Sequence, residues 1–379
     1  MIKEGLEGVL ACKSSISRVD IEDGKAVLEY RGYDIHELAR HSTYEETAYL
    51  LLFGELPSKR ELKAFEEELK DLRELPAQII GLLTHLPPFT HPMVVLRTAI
   101  SYLGSMDMER HFIDYERSIR KAKSLIAKIP TIIAYFHRIR SGLNLIHPNP
   151  DLGHAENFLY MLKGEVPEKI ESKALDVDLI LHADHELNAS TFAARVAAST
   201  LADMYACVVA ATGTLMGPLH GGAAQKVMEM FREIAVPWRA EEYVLRKLER
   251  RERIMGFGHR VYRGVMDPRT IELRNLAKRL AKVKDSKWFE IAEEVAKAVY
   301  KHKNLLPNVD FYSACVYACL GIPEDLYIPI FAMGRIAGWT AHIIEQYTNN
   351  RLMRPRAFYT GERKRKYVPL SSRTERLDL

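Results

Sequence analysis

Apolar residues recur at spacings of three and four along most of this chain, and this pattern restricts the fold more than any other feature. In the stretch SKRELKAFEEELKDLREL, the side chains of Leu62, Phe65, Leu69 and Leu72 would share one face of a helix. The same spacing recurs in two later stretches, at Leu276, Leu280 and Val283 and at Ile291, Val295 and Val299. The pattern predicts a chain built from many amphipathic helices.

Alternating patterns typical of strands are scarce. The segment AVLEYRG (26–32) is the best candidate for a small N-terminal β-hairpin. No internal repeat is visible. We therefore predict an all-α fold, and because 379 residues exceed the usual size of one compact domain, we expect two domains.

One segment, 196–216, is apolar enough to compare with a membrane span, and Asp203 is its only charge. It is rich in Ala, Thr and Ser rather than Leu, Ile and Phe, which predicts a helix buried on all sides. The first residues, MIKEGLEGVLACKSS, include acidic side chains and no apolar run, which is not typical of a signal peptide. We expect no membrane association and a cytoplasmic location.

The four cysteines, Cys12, Cys207, Cys315 and Cys319, form no CxxC pair. Three of them lie in apolar helical patterns, so we expect reduced, buried thiols. The chain contains only three glutamines beside many Glu, Lys and Arg residues, a composition that favours a thermophilic source.

The net charge of +4 is unevenly distributed. Residues 351–379 contain nine Lys and Arg against three Asp and Glu, including RKRK at 363–366. This run has no interleaved aromatic residues and follows no nucleic-acid-binding motif, so we expect no nucleic-acid partner. A solvated tail, a phosphate-bearing cofactor and a neighbouring subunit remain the alternatives.

Three helix-breaking stretches place a polar side chain beside Gly or Pro. GPLHGGA carries His220, MGFGHRVYRGVMDPR carries His259, and PNVDFYS carries Asp310. Helix ends expose unpaired N–H groups that suit anionic ligands, and glycine lets a ligand approach closely. Each histidine could instead cap a turn. For Asp310, a helix N-cap and a base whose pKa is raised by an apolar pocket are compatible alternatives.

A fourth stretch, LHADHELN, would place His182 and His185 on one face if it is helical, although His185 could also be a core histidine. Together with the two glycine-flanked histidines, these side chains could supply four metal ligands. The chain has no HEXXH motif and no carboxylate-rich cluster is evident. We therefore expect no metal.

The arginines add a second constraint. Arg335 interrupts an otherwise apolar helical pattern, and a buried arginine requires an anion from the protein or from a ligand. Planar guanidinium groups grip a small dicarboxylate bidentately, which also suits Arg269. In DPR, Asp267 and Pro268 fit the N-cap and first position of a helix, and the stretch lacks the strand and spacing of a nucleotide phosphate loop.

The motifs LHADHELNAST, GPLHGGA, GFGHRVYRGVMDPR, NVDFYSA and RPRAFYTG, in this order, resemble those of the citrate synthase family. YRGYDIHELA resembles its N-terminal signature, and the resemblance covers nearly the whole chain in its short form. It implies an all-α homodimer with a large helical domain (1–216 and 322–379) and a small inserted helical domain (217–321). It also implies condensation of acetyl-CoA with oxaloacetate and hydrolysis of citryl-CoA, with acetyl-CoA as co-substrate and no tightly bound cofactor.

The resemblance also implies a role for each candidate residue. Asp310 would remove a proton from the acetyl group, His220 would stabilise the enol, and His259 would polarise the oxaloacetate ketone. Oxaloacetate would be held by His185, Arg269, Arg335 and an Arg354 contributed across the dimer interface. Coenzyme A would contact Arg263 and the backbone of Gly256, Phe257 and Gly258.

Two other functions stay open at this point. A 2-methylcitrate synthase shares these motifs and uses propionyl-CoA, and one methylene group changes pocket preference by only about 1–3 kcal/mol. A non-catalytic helical scaffold could bind polyanions through the basic tail. The presence of His220, His259 and Asp310 together favours an enzyme over a scaffold.

Overall fold

The computed structural model describes residues 3–373, and within them the predicted all-α fold is confirmed. Sixteen α-helices follow a small β-sheet. The helices are α1 (Ile35–His41), α2 (Tyr44–Phe53), α3 (Lys59–Asp71), α4 (Ala77–His85), α5 (Pro92–Met106), α6 (Tyr115–Arg140), α7 (His154–Lys163), α8 (Lys169–His182), α9 (Ala189–Ser199), α10 (Met204–Leu215), α11 (Ala223–Ile234), α12 (Ala240–Glu249), α13 (Pro268–Ala281), α14 (Lys287–Lys303), α15 (Val309–Cys319) and α16 (Tyr327–Thr348).

The predicted N-terminal hairpin is confirmed and belongs to a sheet of three strands. Strands β1 (Ser17–Glu22) and β2 (Lys25–Tyr30) pair antiparallel through the two-residue turn at 23–24. Both turn residues have positive φ, which matches the twist of the flanking strands. The short strand β3 (Tyr33–Asp34) then pairs with the end of β2.

Helix α3 shows how the local sequence sets a helix. Ser58 accepts a hydrogen bond from the N–H of Glu61, and the Glu61 carboxylate accepts one from the N–H of Ser58. This reciprocal cap begins the helix, and the predicted apolar face buries Phe65 and Leu69. In a later stretch the predicted apolar face extends two residues too far, because α13 ends at Ala281 and Val283 is exposed.

The prediction of one buried helix over 196–216 is wrong. Helix α9 ends at Ser199, Leu201 adopts φ +64°, and α10 begins at Met204. The Asp203 side chain accepts a hydrogen bond from the N–H of Ala206 at 3.0 Å and therefore caps α10. The single charge of this apolar segment marks a helix start.

Helix α16 lies in the core. Every residue from Tyr327 to Ile344 is buried, and the helix packs against α2, α6, α8, α9 and α10. A helix that is apolar on all sides is typical of the interior of a large domain. Within residues 3–373, no helix is both long enough and apolar enough to cross a membrane. The cytoplasmic location stays a prediction.

The chain separates into two compact units. One comprises residues 14–352, and the other comprises the chain ends, described over 3–13 and 353–373. The predicted division at 217 and 321 stays a prediction. The basic run 363–366 is exposed, and the last residues of the predicted basic segment, 374–379, lie outside the described residues.

The predicted thiols are confirmed, because none of the four cysteines forms a disulfide. Cys207, Cys315 and Cys319 are buried as expected, whereas Cys12 is only half-buried.

Candidate active site

A cavity of about 140 Å³ brings together six of the predicted site residues from distant parts of the sequence. It is lined by His185, Asn188, His220, His259, Arg269, Asn308, Val309, Asp310, Phe331 and Arg335. This volume is below the roughly 300–1,000 Å³ of most drug-sized ligand sites, so the cavity suits a small molecule.

Asp310 lies in the first turn of α15, but it does not cap the helix. Asn308 is the N-cap, because its side-chain oxygen accepts a hydrogen bond from the N–H of Asp310 at 3.1 Å. The N-cap alternative for Asp310 is therefore wrong. Its Oδ1 atom is shielded from solvent and has no hydrogen-bond partner among the described residues. Burial raises the pKa of Asp310 to about 6, which suits a general base near neutral pH.

His220 lies on the turn between α10 and α11. Its Nε2 accepts a hydrogen bond from the backbone N–H of Ser190 at 3.3 Å and lies 2.8 Å from the Ser190 hydroxyl oxygen. Because a backbone N–H can only donate, this contact assigns the ring proton to Nδ1. Burial and the charge of Arg335 lower the pKa of His220 to about 4. The side chain is therefore a neutral N–H donor at pH 7.

Ser190 is a site residue that sequence reasoning missed. It lies in the first turn of α9, and its hydroxyl oxygen also accepts a hydrogen bond from the indole N–H of the buried Trp339 at 3.2 Å. Asn188 caps α9 by accepting the N–H of Thr191. The helix start was visible in the sequence, but its contact with a histidine thirty residues away was not.

His259 presents the opposite ring nitrogen. Its Nδ1 accepts hydrogen bonds from the backbone N–H groups of Val261 and Tyr262, each at 3.1 Å. The ring proton is therefore on Nε2. The imidazole stacks on the Tyr262 ring with centroids 4.6 Å apart. Burial and the charge of Arg269 lower the pKa of His259 to about 4, so it is also a neutral donor.

The sequence would place His182 and His185 on one helix face only if LHADHELN were helical. The structure does not place them on one face. Helix α8 ends at His182, whose Nδ1 is 2.9 Å from the carbonyl oxygen of Asp178 inside the core. His185 lies on the following turn, and its Nε2 is shielded from solvent and unpartnered within the described residues. Burial and the charge of Arg269 hold the pKa of His185 well below its usual value.

Arg269 is held by its own helix cap. Asp267 is the N-cap of α13 and Pro268 its first residue, as predicted. The Asp267 carboxylate also accepts hydrogen bonds from the Arg269 side chain, at 3.0 Å from Nε and 2.7 Å from Nη2. Both residues are buried, so the pair fixes one guanidinium group at the cavity wall.

Arg335 is the second buried arginine of the cavity. Its Nε donates to the carbonyl oxygen of His182 at 2.5 Å, and its guanidinium lies 4.8 Å from the Phe331 ring centroid. Burial lowers the pKa of Arg335 to about 10, so it remains charged at pH 7. Its Nη1 is shielded and has no partner in the described part of the chain. A buried cationic donor without an acceptor is costly, which marks this wall for an anionic ligand.

Two histidines with defined ring protons, a carboxyl group with a raised pKa and two arginines thus surround one small cavity. Over residues 3–373, no cluster of three or more His, Cys, Asp or Glu side chains is suited to hold a metal ion. The arrangement suits proton abstraction next to a carbonyl group of a substrate that carries carboxylates.

Comparison with known proteins agrees with this arrangement. The family model "Citrate synthase, C-terminal domain" matches residues 5–356. The chain is 50% identical over 374 residues to citrate synthase 2 of Bacillus subtilis, covering 97% of this chain and 98% of the relative. The chain belongs to the citrate synthase family.

Solved citrate synthases share the fold over their whole length. The crystal structure of citrate synthase from Thermotoga maritima is 44% identical, with a TM-score of 0.89, 99% coverage of this chain and 100% of the other. The ternary complex of citrate synthase from Thermoplasma acidophilum with carboxymethyl coenzyme A and oxaloacetate is 34% identical. Its TM-score is 0.92, and the match covers 98% of this chain and 100% of the other. The 2-methylcitrate synthase of Shewanella oneidensis is 41% identical over 371 residues, covering 97% of each chain.

The segment expected to contact coenzyme A in this citrate synthase family member is paired with the segment that precedes α15. Gly258 donates its N–H to the carbonyl oxygen of Leu306 at 3.0 Å, and Asn308 donates to that of Gly256 at 2.9 Å. The Asn308 side chain donates to the Gly258 carbonyl oxygen at 3.1 Å. We call this pairing of 256–258 with 306–308 the loop clamp. It joins the backbone next to His259 to the start of the helix that carries Asp310.

A second cavity of about 150 Å³ lies beside the loop clamp, and its lining includes Gly258, His259 and Arg263. Gly256 and Gly258 both have a positive φ, but the space around them differs. A Cβ at Gly256 would lie 2.8 Å from side-chain atoms of Phe311 and Val227, so packing requires this glycine. Gly258 has φ +78° and open space where a Cβ would lie, which fits close approach of a ligand. The contacts of Phe257 and Arg263 with coenzyme A stay predictions.

Arg354 belongs to the unit formed by the chain ends, where its side chain is exposed. Its predicted contribution to oxaloacetate binding across a dimer interface stays a prediction.

Proposed function

We propose that this chain condenses acetyl-CoA with oxaloacetate and hydrolyses citryl-CoA to citrate and CoA. The observation that carries the proposal is the carboxyl group of Asp310, with a pKa of about 6, in the same cavity as the neutral donors His220 and His259. The α-proton of a thioester is very weakly acidic. A carboxylate removes it only where the negative charge that develops on the thioester oxygen is stabilised at once.

Asp310, His220 and His259 each take a separate role in the proposed condensation. Asp310 accepts the proton of the acetyl methyl group, while Nδ1–H of His220 donates to the thioester oxygen and stabilises the enol. The enol carbon attacks the ketone carbon of oxaloacetate, whose oxygen is polarised by Nε2–H of His259. That nitrogen then transfers its proton to the new alkoxide. The fixed ring protons of both histidines support this assignment.

The positive wall of the cavity supports a dicarboxylate as the second substrate. Arg335 offers an unpartnered Nη1, and Asp267 orients the guanidinium of Arg269. His185 adds a shielded ring nitrogen without a partner among the described residues. Because these groups are buried, an anion that reaches them gains strong, weakly screened hydrogen bonds.

The proposed active unit is a homodimer in which Arg354 completes the oxaloacetate site of the partner. A mixture of Arg354→Ala and Asp310→Asn subunits tests this idea. If Arg354 acts across the interface, half of the randomly formed dimers contain one intact site, and activity returns to about a quarter of the wild-type value. If Arg354 acts within its own subunit, the mixture stays inactive.

Propionyl-CoA should be compared directly with acetyl-CoA as the acyl donor, because the relatives of this chain include 2-methylcitrate synthases that are 41% and 40% identical to it. The measurement is the release of free thiol from acetyl-CoA and from propionyl-CoA, each with oxaloacetate and without added metal. We expect faster release from acetyl-CoA. A higher kcat/KM with propionyl-CoA would assign the chain to 2-methylcitrate synthesis, and no release from either would overturn the proposal. The scaffold alternative predicts this last result.

A further inference from the structure

The turn that carries His185 is fastened to helix α16 at three successive positions. Arg335 donates from Nε to the carbonyl oxygen of His182, and the N–H of Gly338 donates to that of Ala183 at 3.1 Å. His342 lies 3.2 Å from the Asp184 carboxylate. The three residues of α16 are spaced by three and four and therefore share one face of the helix.

At the middle position, Gly338, helix α16 lies very close to the backbone of the turn at Ala183 and Asp184. A Cβ at Gly338 would lie 2.2 Å from the carbonyl oxygen of Ala183 and 2.4 Å from Oδ1 of Asp184. Only glycine allows this approach, so the turn lies in direct contact with the backbone of α16.

The third position is a hydrogen-bonded pair, Asp184 and His342, that takes no part in the proposed chemistry. Asp184 and His342 are both fully buried. Nδ1 of His342 accepts a hydrogen bond from Arg195 at 3.0 Å, which assigns the ring proton to Nε2 and directs it at Asp184. The same carboxylate oxygen accepts hydrogen bonds from the Ser17 hydroxyl and, at 3.2 Å, from the N–H of Glu186.

The N–H of Glu186 is shared between this carboxylate, at 3.2 Å, and the Ser17 hydroxyl oxygen, at 2.9 Å. Glu186 adopts φ +52°, a conformation that non-glycine residues seldom take without local support. The Asp184 carboxylate supports this bend directly, through the Glu186 N–H, and indirectly, by accepting the hydroxyl of Ser17, which also binds that N–H. The orientation of the His185 ring thus depends on the Asp184 carboxylate.

We propose that Asp184 and His342 are positioning residues that align His185 with Arg335 for binding of the dicarboxylate. Neither residue lines the cavity. Asp184 shapes the turn of His185, and His342 ties that turn to the helix that carries Arg335. The inference rests on the proposed function for the identity of the ligand.

Two replacements of His342 separate positioning from general stability. His342→Gln keeps an N–H near the position of Nε2 and loses the acceptor for Arg195. His342→Asn keeps an acceptor near Nδ1 and loses the donor to Asp184. Asp184→Ala removes the carboxylate itself and leaves buried donors unpaired, so the His342 pair gives the cleaner comparison.

The experiment measures the Kd of oxaloacetate by calorimetry, the KM of each substrate and the Tm. We expect His342→Asn to raise the Kd and KM of oxaloacetate by about 3- to 30-fold, with the KM of acetyl-CoA nearly unchanged, and His342→Gln to remain near wild type. The matched control is Glu45→Gln. Glu45 is a buried acid that accepts the N–H of His154 at 2.7 Å, outside the cavity lining, and its replacement should leave both KM values unchanged.

Equal effects of the Asn and Gln variants on oxaloacetate binding would overturn the proposal. A parallel change in both KM values that follows the Tm would do the same, because it indicates a general structural role. Failure of the wild-type protein to turn over either acyl-CoA would instead refute the proposed function. In that case the calorimetric comparison of the two variants still decides the positioning role.

Discussion

The pH dependence of turnover tests Asp310 separately from the histidines. Burial raises the pKa of Asp310 to about 6, whereas the pKa values of His220 and His259 are lowered to about 4. Only the ionised carboxylate can accept the acetyl proton. Between about pH 7 and pH 5, kcat/KM for acetyl-CoA should therefore fall roughly tenfold, as the titration of one group requires.

The same shift in pKa makes a prediction about stability. Asp310 binds its proton more tightly in the folded chain than in the unfolded chain. The free energy of unfolding therefore decreases as the pH rises from about 4 to about 6. The difference between 3.8 and about 6 corresponds to roughly 3 kcal/mol at neutral pH. Asp310→Asn removes the buried charge but leaves a buried amide. We expect this variant to raise the free energy of unfolding by about 1–3 kcal/mol at pH 7.5.

Turnover and stability should thus change in opposite directions. Asp310→Asn is expected to lower kcat by about 10²–10⁴. Urea denaturation and thiol release, each measured from pH 5 to pH 8, follow the two quantities. Glu45→Gln is the control, because burial also raises the pKa of Glu45, to about 7, away from the cavity lining. It should keep normal turnover.

Two outcomes would refute this reasoning. One is an Asp310→Asn variant whose stability relative to wild type is no higher at pH 7.5 than at pH 5, because the raised pKa requires wild type to gain stability as the pH falls. The other is an acid limb in which the logarithm of kcat/KM falls with a slope of two, which would mean that a histidine titrates together with the carboxylate.

Two further variants test residues that hold the active site in place, Ser190 beside His220 and Gly256 in the loop clamp. Ser190→Ala leaves the indole N–H of buried Trp339 unpaired and should cost about 1–3 kcal/mol in urea denaturation. It should also lower kcat without raising the Kd of oxaloacetate, and an unchanged kcat would contradict the role of Ser190 beside His220. Gly256→Ala places a methyl group 2.8 Å from neighbouring side chains at φ +83° and should lower stability by about 1–3 kcal/mol, whereas a wild-type Tm would show that the loop clamp tolerates a side chain.

Much of the site could be predicted because its residues lie beside local signals. His220 and His259 follow glycine-containing helix breaks, and Asp267 precedes proline at a helix start. Such signals depend on φ and ψ preferences of neighbouring residues, which a sequence displays directly. The structure places both histidines in the cavity and confirms Asp267 as the N-cap.

The errors of sequence reasoning have a common physical cause. Both Asn308 and Asp310 are residue types that cap helices, and the loop clamp, a contact between segments fifty residues apart, favours Asn308. The break between α9 and α10 contains neither glycine nor proline, and the carbonyl oxygens of Ser199 and Ala202 accept hydrogen bonds from the side chains of Asn350 and Tyr347, 151 and 145 residues away. Long-range contacts of this kind leave no periodic pattern in the sequence.

The loop clamp also divides the cavity into parts that can change independently. His259 and Asp310 extend from opposite ends of the clamp, so backbone hydrogen bonds set the spacing between them. His220 stands on a separate turn that contacts α9. Substitutions around the His220 turn can therefore enlarge the space for the acyl chain while the spacing between the proton acceptor and the ketone-activating group is kept. A search for variants that accept longer acyl donors is best confined to that wall.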